Sequence, residues 1–104
     1  MTISNLVIQE DKLNFLCKKF FIKELSIFGS SLREDFNSNS DIDLLVTFED
    51  STNYSLFDIV KIKEEFEKFF NKPVDLISKK AVEKSTNMYR KKNILGSAKV
   101  IYAS

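Results

Sequence analysis

The chain has 104 residues, enough for one domain, and its 43% hydrophobic and 30% charged residues are the composition of a packed globular unit rather than a disordered one. It has no histidine and a single cysteine, Cys17, which excludes His-dependent catalytic triads, zinc hydrolase sites and any internal disulfide. The formal charge is +1, and without histidine any chemistry here runs on carboxylates, hydroxyls, lysine and arginine.

Met1-Thr2-Ile3-Ser4-Asn5 lacks the basic flank and apolar core of a secretory signal. No apolar run approaches the roughly 18 residues of a membrane span. A cytoplasmic protein with no membrane association is expected. Leu6, Leu13, Leu16, Cys17 and Phe20 fall at helical spacing and predict an amphipathic helix from Val7 to Phe20. Glu24-Leu25-Ser26-Ile27-Phe28 reads as a strand running into Gly29, and Ser30 to Arg33 as the start of a short helix. The clearest strand is Asp41 to Phe48, where Ile42, Leu44, Val46 and Phe48 alternate with Asp41, Asp43, Leu45 and Thr47. After the turn residues Asp50-Ser51-Thr52-Asn53, the apolar positions Leu56, Ile59, Val60, Phe66, Phe69 and Phe70 predict a second amphipathic helix, ended by Asn71-Lys72-Pro73. Val74 to Ile77 is a third short strand.

A basic helix from about Lys79 to Lys92 follows, with an interruption near Gly96, and Lys99 to Tyr102 fits either a strand or more helix. Residues 79–99 hold Lys79, Lys80, Lys84, Arg90, Lys91, Lys92 and Lys99 against Glu83 alone, which leaves the rest of the chain net acidic. This stretch reads first as a solvated face and second as a docking surface for an anionic partner. Direct nucleic-acid binding is not expected, because the pattern is not a polybasic arm interleaved with exposed aromatics. The alternation of strand and helix predicts an α/β sandwich with helices mainly over one sheet face.

Asp41 and Asp43 project from one face of their strand, about 7 Å apart. Two such carboxylates repel each other, and a divalent cation converts the repulsion into a binding site. All-oxygen ligation suits magnesium, with manganese as an alternative. Asp75, between Val74 and Leu76, has the same setting, so the three acids converge if the two strands are neighbours. Gly29 and Ser30 supply a complementary half: glycine lets backbone N–H groups approach a phosphate, and the serine hydroxyl adds a donor. Arg33 stands one helical turn further on, within reach of an anionic oxygen. The plainer reading makes Asp41 and Asp43 a polar strand end, Gly29 a tight turn and Ser30 a helix cap. Taken together, the two halves point to phosphoryl or nucleotidyl transfer.

The run Ile27-Phe28-Gly29-Ser30, followed after ten residues by Asp41-Ile42-Asp43-Leu44-Leu45-Val46, resembles the signature of the DNA polymerase β-type nucleotidyltransferase superfamily. Within it, the chain is similar to the minimal nucleotidyltransferases (MNT), small proteins commonly encoded as antitoxins beside a HEPN-domain ribonuclease toxin. The likeness continues through Ser55-Leu56-Phe57-Asp58 and Lys72-Pro73-Val74-Asp75-Leu76-Ile77, spanning roughly residues 24 to 95. It implies a polymerase-β-like α/β fold, a small mixed β-sheet with flanking α-helices, as a single domain over residues 1–104. It also implies that Gly29, Ser30 and Arg33 hold the nucleotide, and that Asp41, Asp43 and Asp75 are the catalytic acids that ligate two magnesium ions. Asp75 would further help to deprotonate the acceptor. The substrate implied is ATP, and the reaction transfer of AMP to a tyrosine of the HEPN toxin. One departure is that relatives usually carry glycine after the arginine, where this chain has Glu34 and Asp35, carboxylates that disfavour a triphosphate unless they point away. An antitoxin that neutralises the toxin by binding alone is the alternative, and transfer to a small molecule a third reading.

Overall fold

The computed structural model describes residues 2–3, 6–29, 41–50, 52–84 and 86–104. Ser30, Arg33 and the short helix expected there lie outside the described residues. The chain opens with a two-stranded antiparallel sheet, β1 (Thr2–Ile3) and β2 (Leu6–Val7). Helix α1 (Glu10–Lys19) therefore begins three residues later than the spacing from Val7 predicts. Glu10 and Asp11 occupy its first turn and Lys18 and Lys19 its last, each charge opposing the helix dipole.

Next come β3 (Ile22–Phe28), β4 (Ile42–Phe48), α2 (Leu56–Phe70) and β5 (Val74–Ser78). The chain closes with α3 (Lys79–Glu83), α4 (Met88–Ser97) and β6 (Lys99–Ala103). The sheet order is β5-β4-β3-β6, with β3 antiparallel to both neighbours and β4 parallel to β5. A parallel pair cannot be joined by a tight hairpin, and α2 supplies the crossover. The mixed sheet with flanking helices is the expected one, and the C-terminal run is a strand because it pairs with β3. The basic segment differs from expectation. α3 ends at Glu83 and α4 starts at Met88, so the break comes well before Gly96, which lies inside α4.

Alternation along β4 divides the core in two. Ile42, Leu44 and Val46 join Leu25, Ile27 and Val74 against α1 and α2, whereas Leu45 joins Phe28, Val82 and Ile94 on the opposite face, under α3 and α4. Helices thus cover both faces rather than mainly one as the alternation predicts, with α1 and α2 over the larger cluster, because Phe28, Leu45 and Ile77 make the second face apolar too. On α2 the buried stripe is Ile62, Phe66 and Phe70 at four-residue steps. Leu56 and Val60, expected to share it, are 80% and 50% exposed. Cys17 is buried in the larger cluster, and burial pushes its thiol up to about 12, so it stays protonated and unreactive.

The ends of α2 are set by local chemistry. The Ser55 hydroxyl accepts from the Asp58 backbone N–H, and the Asp58 carboxylate accepts from the Ser55 N–H at 3.0 Å, a reciprocal capping box. At the other end Asn71 takes a left-handed φ of 55°, its N–H donates to the Glu67 carbonyl, and Pro73 cannot continue the helix. The Glu67 carboxylate accepts from the Val74 N–H at 3.1 Å, tying the helix end to β5. A Lys79–Glu24 ion pair at 3.0 Å joins α3 to β3, but at about one-third exposure it contributes at most ~1 kcal/mol.

Two substitutions with opposite signs check this packing by urea denaturation. Phe66 is fully buried, so Phe66→Ala should cost about 3–5 kcal/mol. A Cβ on Gly96 meets nothing within 4 Å, so Gly96→Ala should stabilise the protein by roughly 0.5–1 kcal/mol.

Candidate active site

The alternation that sends Ile42 and Leu44 into the larger core sends Asp41 and Asp43 to the opposite face, at the N-terminal end of β4. On β5, Val74 and Leu76 pack in that same core, which turns Asp75 to the face shared with Asp43. The parallel register places Asp43 directly beside Asp75, and the bond from the Ile42 N–H to the Pro73 carbonyl, at 2.9 Å, pins the two strand starts together. On the other side Asp43 is paired with Phe28, the last residue of β3. Asp41 and Asp75 are exposed and Asp43 is half-buried. Asp43 and Asp75 share a face and a register and Asp41 precedes β4, but among the described residues the three do not close into a compact group of metal ligands.

Gly29 completes this end of the sheet. Its φ of +68° is a left-handed conformation that L side chains rarely adopt, and a Cβ built there would lie 2.6 Å from Asp43 Oδ2. Glycine is therefore favoured by the backbone, and the Asp43 carboxylate sits in the space that its missing Cβ leaves. Beneath the acids, Phe28, Leu45 and Ile77 lead into the apolar cluster closed by Val82 and Ile94.

The donor set is oxygen alone, from three carboxylates with no histidine or cysteine beside them, and the space at Gly29 admits the Asp43 carboxylate. These residues fit a hard divalent cation of the magnesium type. A groove of about 420 Å³ between α1 and α2, lined by Phe15, Leu16 and Phe69 among charged residues, lies on the far side of the sheet from the acids and takes no part in this arrangement.

Of the residues expected from the sequence, Gly29 adjoins Asp43 and Asp43 is in register with Asp75, while Asp41 precedes β4 at the same end of the strand. An exposed apolar patch on the first turns of α2 was missed. Leu56, Phe57 and Val60 are 80%, 87% and 50% exposed, and the signal was available as three apolar residues outside the Ile62-Phe66-Phe70 stripe. Among the described residues no helix is long and apolar enough to cross a membrane.

A family model described as a nucleotidyltransferase domain matches residues 10–101. A Methanocaldococcus jannaschii protein provisionally named a protein adenylyltransferase is 36% identical over 76 residues, 73% of this chain and 73% of its own. A solved structure provisionally named a minimal nucleotidyltransferase superposes with a TM-score of 0.64 at 27% identity, covering 86% of each chain. A toxin–antitoxin structure with AMP-PNP gives a TM-score of 0.69 at 16% identity, over 93% of this chain and 75% of that one. A complex of tri-AMPylated Shewanella oneidensis HEPN toxin with its MNT antitoxin gives 0.60 at 15%, over 91% and 70%. The last two are likenesses of fold. With its three acids and glycine turn on a sheet of this topology, the chain belongs to the nucleotidyltransferase domain family, in its minimal nucleotidyltransferase branch.

Proposed function

We propose that this nucleotidyltransferase moves AMP from ATP to a tyrosine hydroxyl of a HEPN-domain ribonuclease toxin and thereby acts as its antitoxin. The observation that carries the reading is the register that sets Asp43 beside Asp75, with Asp43 seated against Gly29, at one end of the sheet. The relative named a protein adenylyltransferase supports the group transferred, and the fold neighbours in toxin–antitoxin complexes support the kind of partner.

Asp41, Asp43 and Asp75 would hold the two divalent ions, magnesium or manganese. Bound there, the ions would supply positive charge that offsets the phosphate oxygens and lowers the proton affinity of the acceptor hydroxyl. Gly29, Ser30 and Arg33 would hold the phosphates. The acceptor oxygen bonds to the α-phosphorus as the bond to the leaving pyrophosphate breaks, and the Asp75 carboxylate takes the hydroxyl proton. No histidine competes for that role. The apolar Leu56, Phe57 and Val60 on α2 suit contact with a protein. That patch also favours the second reading, an antitoxin that masks the toxin by binding and transfers nothing.

ATP titrated by calorimetry should bind far more tightly with magnesium than with EDTA, and binding indifferent to the metal would sink the proposed site. Asp75→Asn is nearly isosteric and leaves Val74 and Leu76 packed, so folding should survive. AMP transfer to the co-expressed toxin should fall by at least about a hundredfold, with the complex still co-purifying. Near wild-type transfer by that variant would reduce Asp75 to a structural role. If wild type and variant both suppress the toxin and neither transfers AMP, masking is the mechanism.

A further inference from the structure

We propose that Gly29 is a positioning residue for the Asp43 carboxylate, keeping open the space that the carboxylate occupies so that Asp43 is oriented before any nucleotide arrives. This goes beyond a glycine that lets phosphate approach the backbone, because the group it makes room for belongs to the protein. A Cβ at position 29 would stand 2.6 Å from Asp43 Oδ2, 3.5 Å from its Cγ and 3.7 Å from its Cβ. The conflict is thus with the free end of a short side chain and not with the sheet backbone. The easiest response to a larger residue is for Asp43 to turn. Phe28, buried and paired with Asp43, borders one side, and Asp75, in register on β5, borders the other. A carboxylate displaced from Gly29 moves toward a second carboxylate or out into solvent, and either move spoils a shared cation site. The fold survives this displacement more readily than the site does. The purpose given to Asp43 rests on the metal-ligand reading above, whereas the contact itself does not.

The test must separate the contact from the left-handed backbone, since φ at Gly29 is +68°. Mn2+ is titrated without nucleotide, by electron paramagnetic resonance, into wild type, Gly29→Ala and Gly29→Asn. Asparagine tolerates the left-handed region yet carries the same Cβ, and it serves as the informative variant where alanine does not fold. Both variants should lose Mn2+ affinity by about 10- to 100-fold, the range found when a residue that orients a metal ligand is removed. Thermal midpoints are then compared for Gly29→Asn alone and in an Asp43→Ala background. The drop should be smaller where the carboxylate is gone. Unchanged Mn2+ affinity in Gly29→Asn, or equal drops in the two backgrounds, overturns the proposal and leaves Gly29 only its backbone role. A wild type that binds no Mn2+ overturns the metal reading of Asp43, and with it the purpose given to Gly29. Unequal midpoints would then still mark the steric contact, so the two failures are told apart.

Discussion

The parallel pairing of β4 with β5 is the constraint on which the acid end of the sheet depends. Parallel neighbours require a crossover, and α2 provides one of matching length. Its 15 residues rise about 22 Å, while the seven residues of β4 advance about 23 Å. The chain leaves the far end of β4, returns along α2 and starts β5 where β4 started. Val74 then stands opposite Ile42 and Asp75 opposite Asp43. A slip of one residue would turn Asp75 into the core and Val74 into water. The hydrophobic requirement at Val74 and Leu76 therefore fixes the position of a charged group that lies outside the core.

The same economy governs the two faces. The larger cluster, beneath α1 and α2, holds most of the fully buried side chains, including Phe66, Leu25, Leu44 and Ile62. The smaller one, beneath α3 and α4, covers only part of the other face, and the acids occupy that face at the sheet's end. A site built on strand ends inherits the rigidity of the sheet. Its neighbours Phe28 and Leu45 are buried while the carboxylates keep contact with solvent, whose loss would impose a heavy desolvation cost.

Much of this was legible in the chain because its periods are clean. The two-residue alternation of 41–48 placed Asp41 and Asp43 on one face, and the apolar flanks of Asp75 placed it on the matching face of a second strand. The stripe on α2 was less legible. Apolar residues occupy more than one side of that helix, so periodicity included Leu56 and Val60 and passed over Ile62. The break in the basic segment was misplaced because glycine was taken as the punctuation. Asn87, just before the new helix, supplies its first carbonyl instead, accepting from the Lys91 N–H at 3.0 Å. Register is a non-local property and had no signature in either strand alone. The nature of residues 99–103 was open for the same reason, since only pairing with β3 makes them a strand.

The enclosure of Cys17 has a practical corollary. The sole sulfhydryl is sealed beneath α1 and carries its proton throughout the ordinary working range. Mild oxidants and alkylating reagents find no purchase on the folded protein. A cysteine introduced anywhere on the outside would be the one reactive address. Spin labels, fluorophores or crosslinkers can be attached to it at a single chosen position with the native thiol left in place.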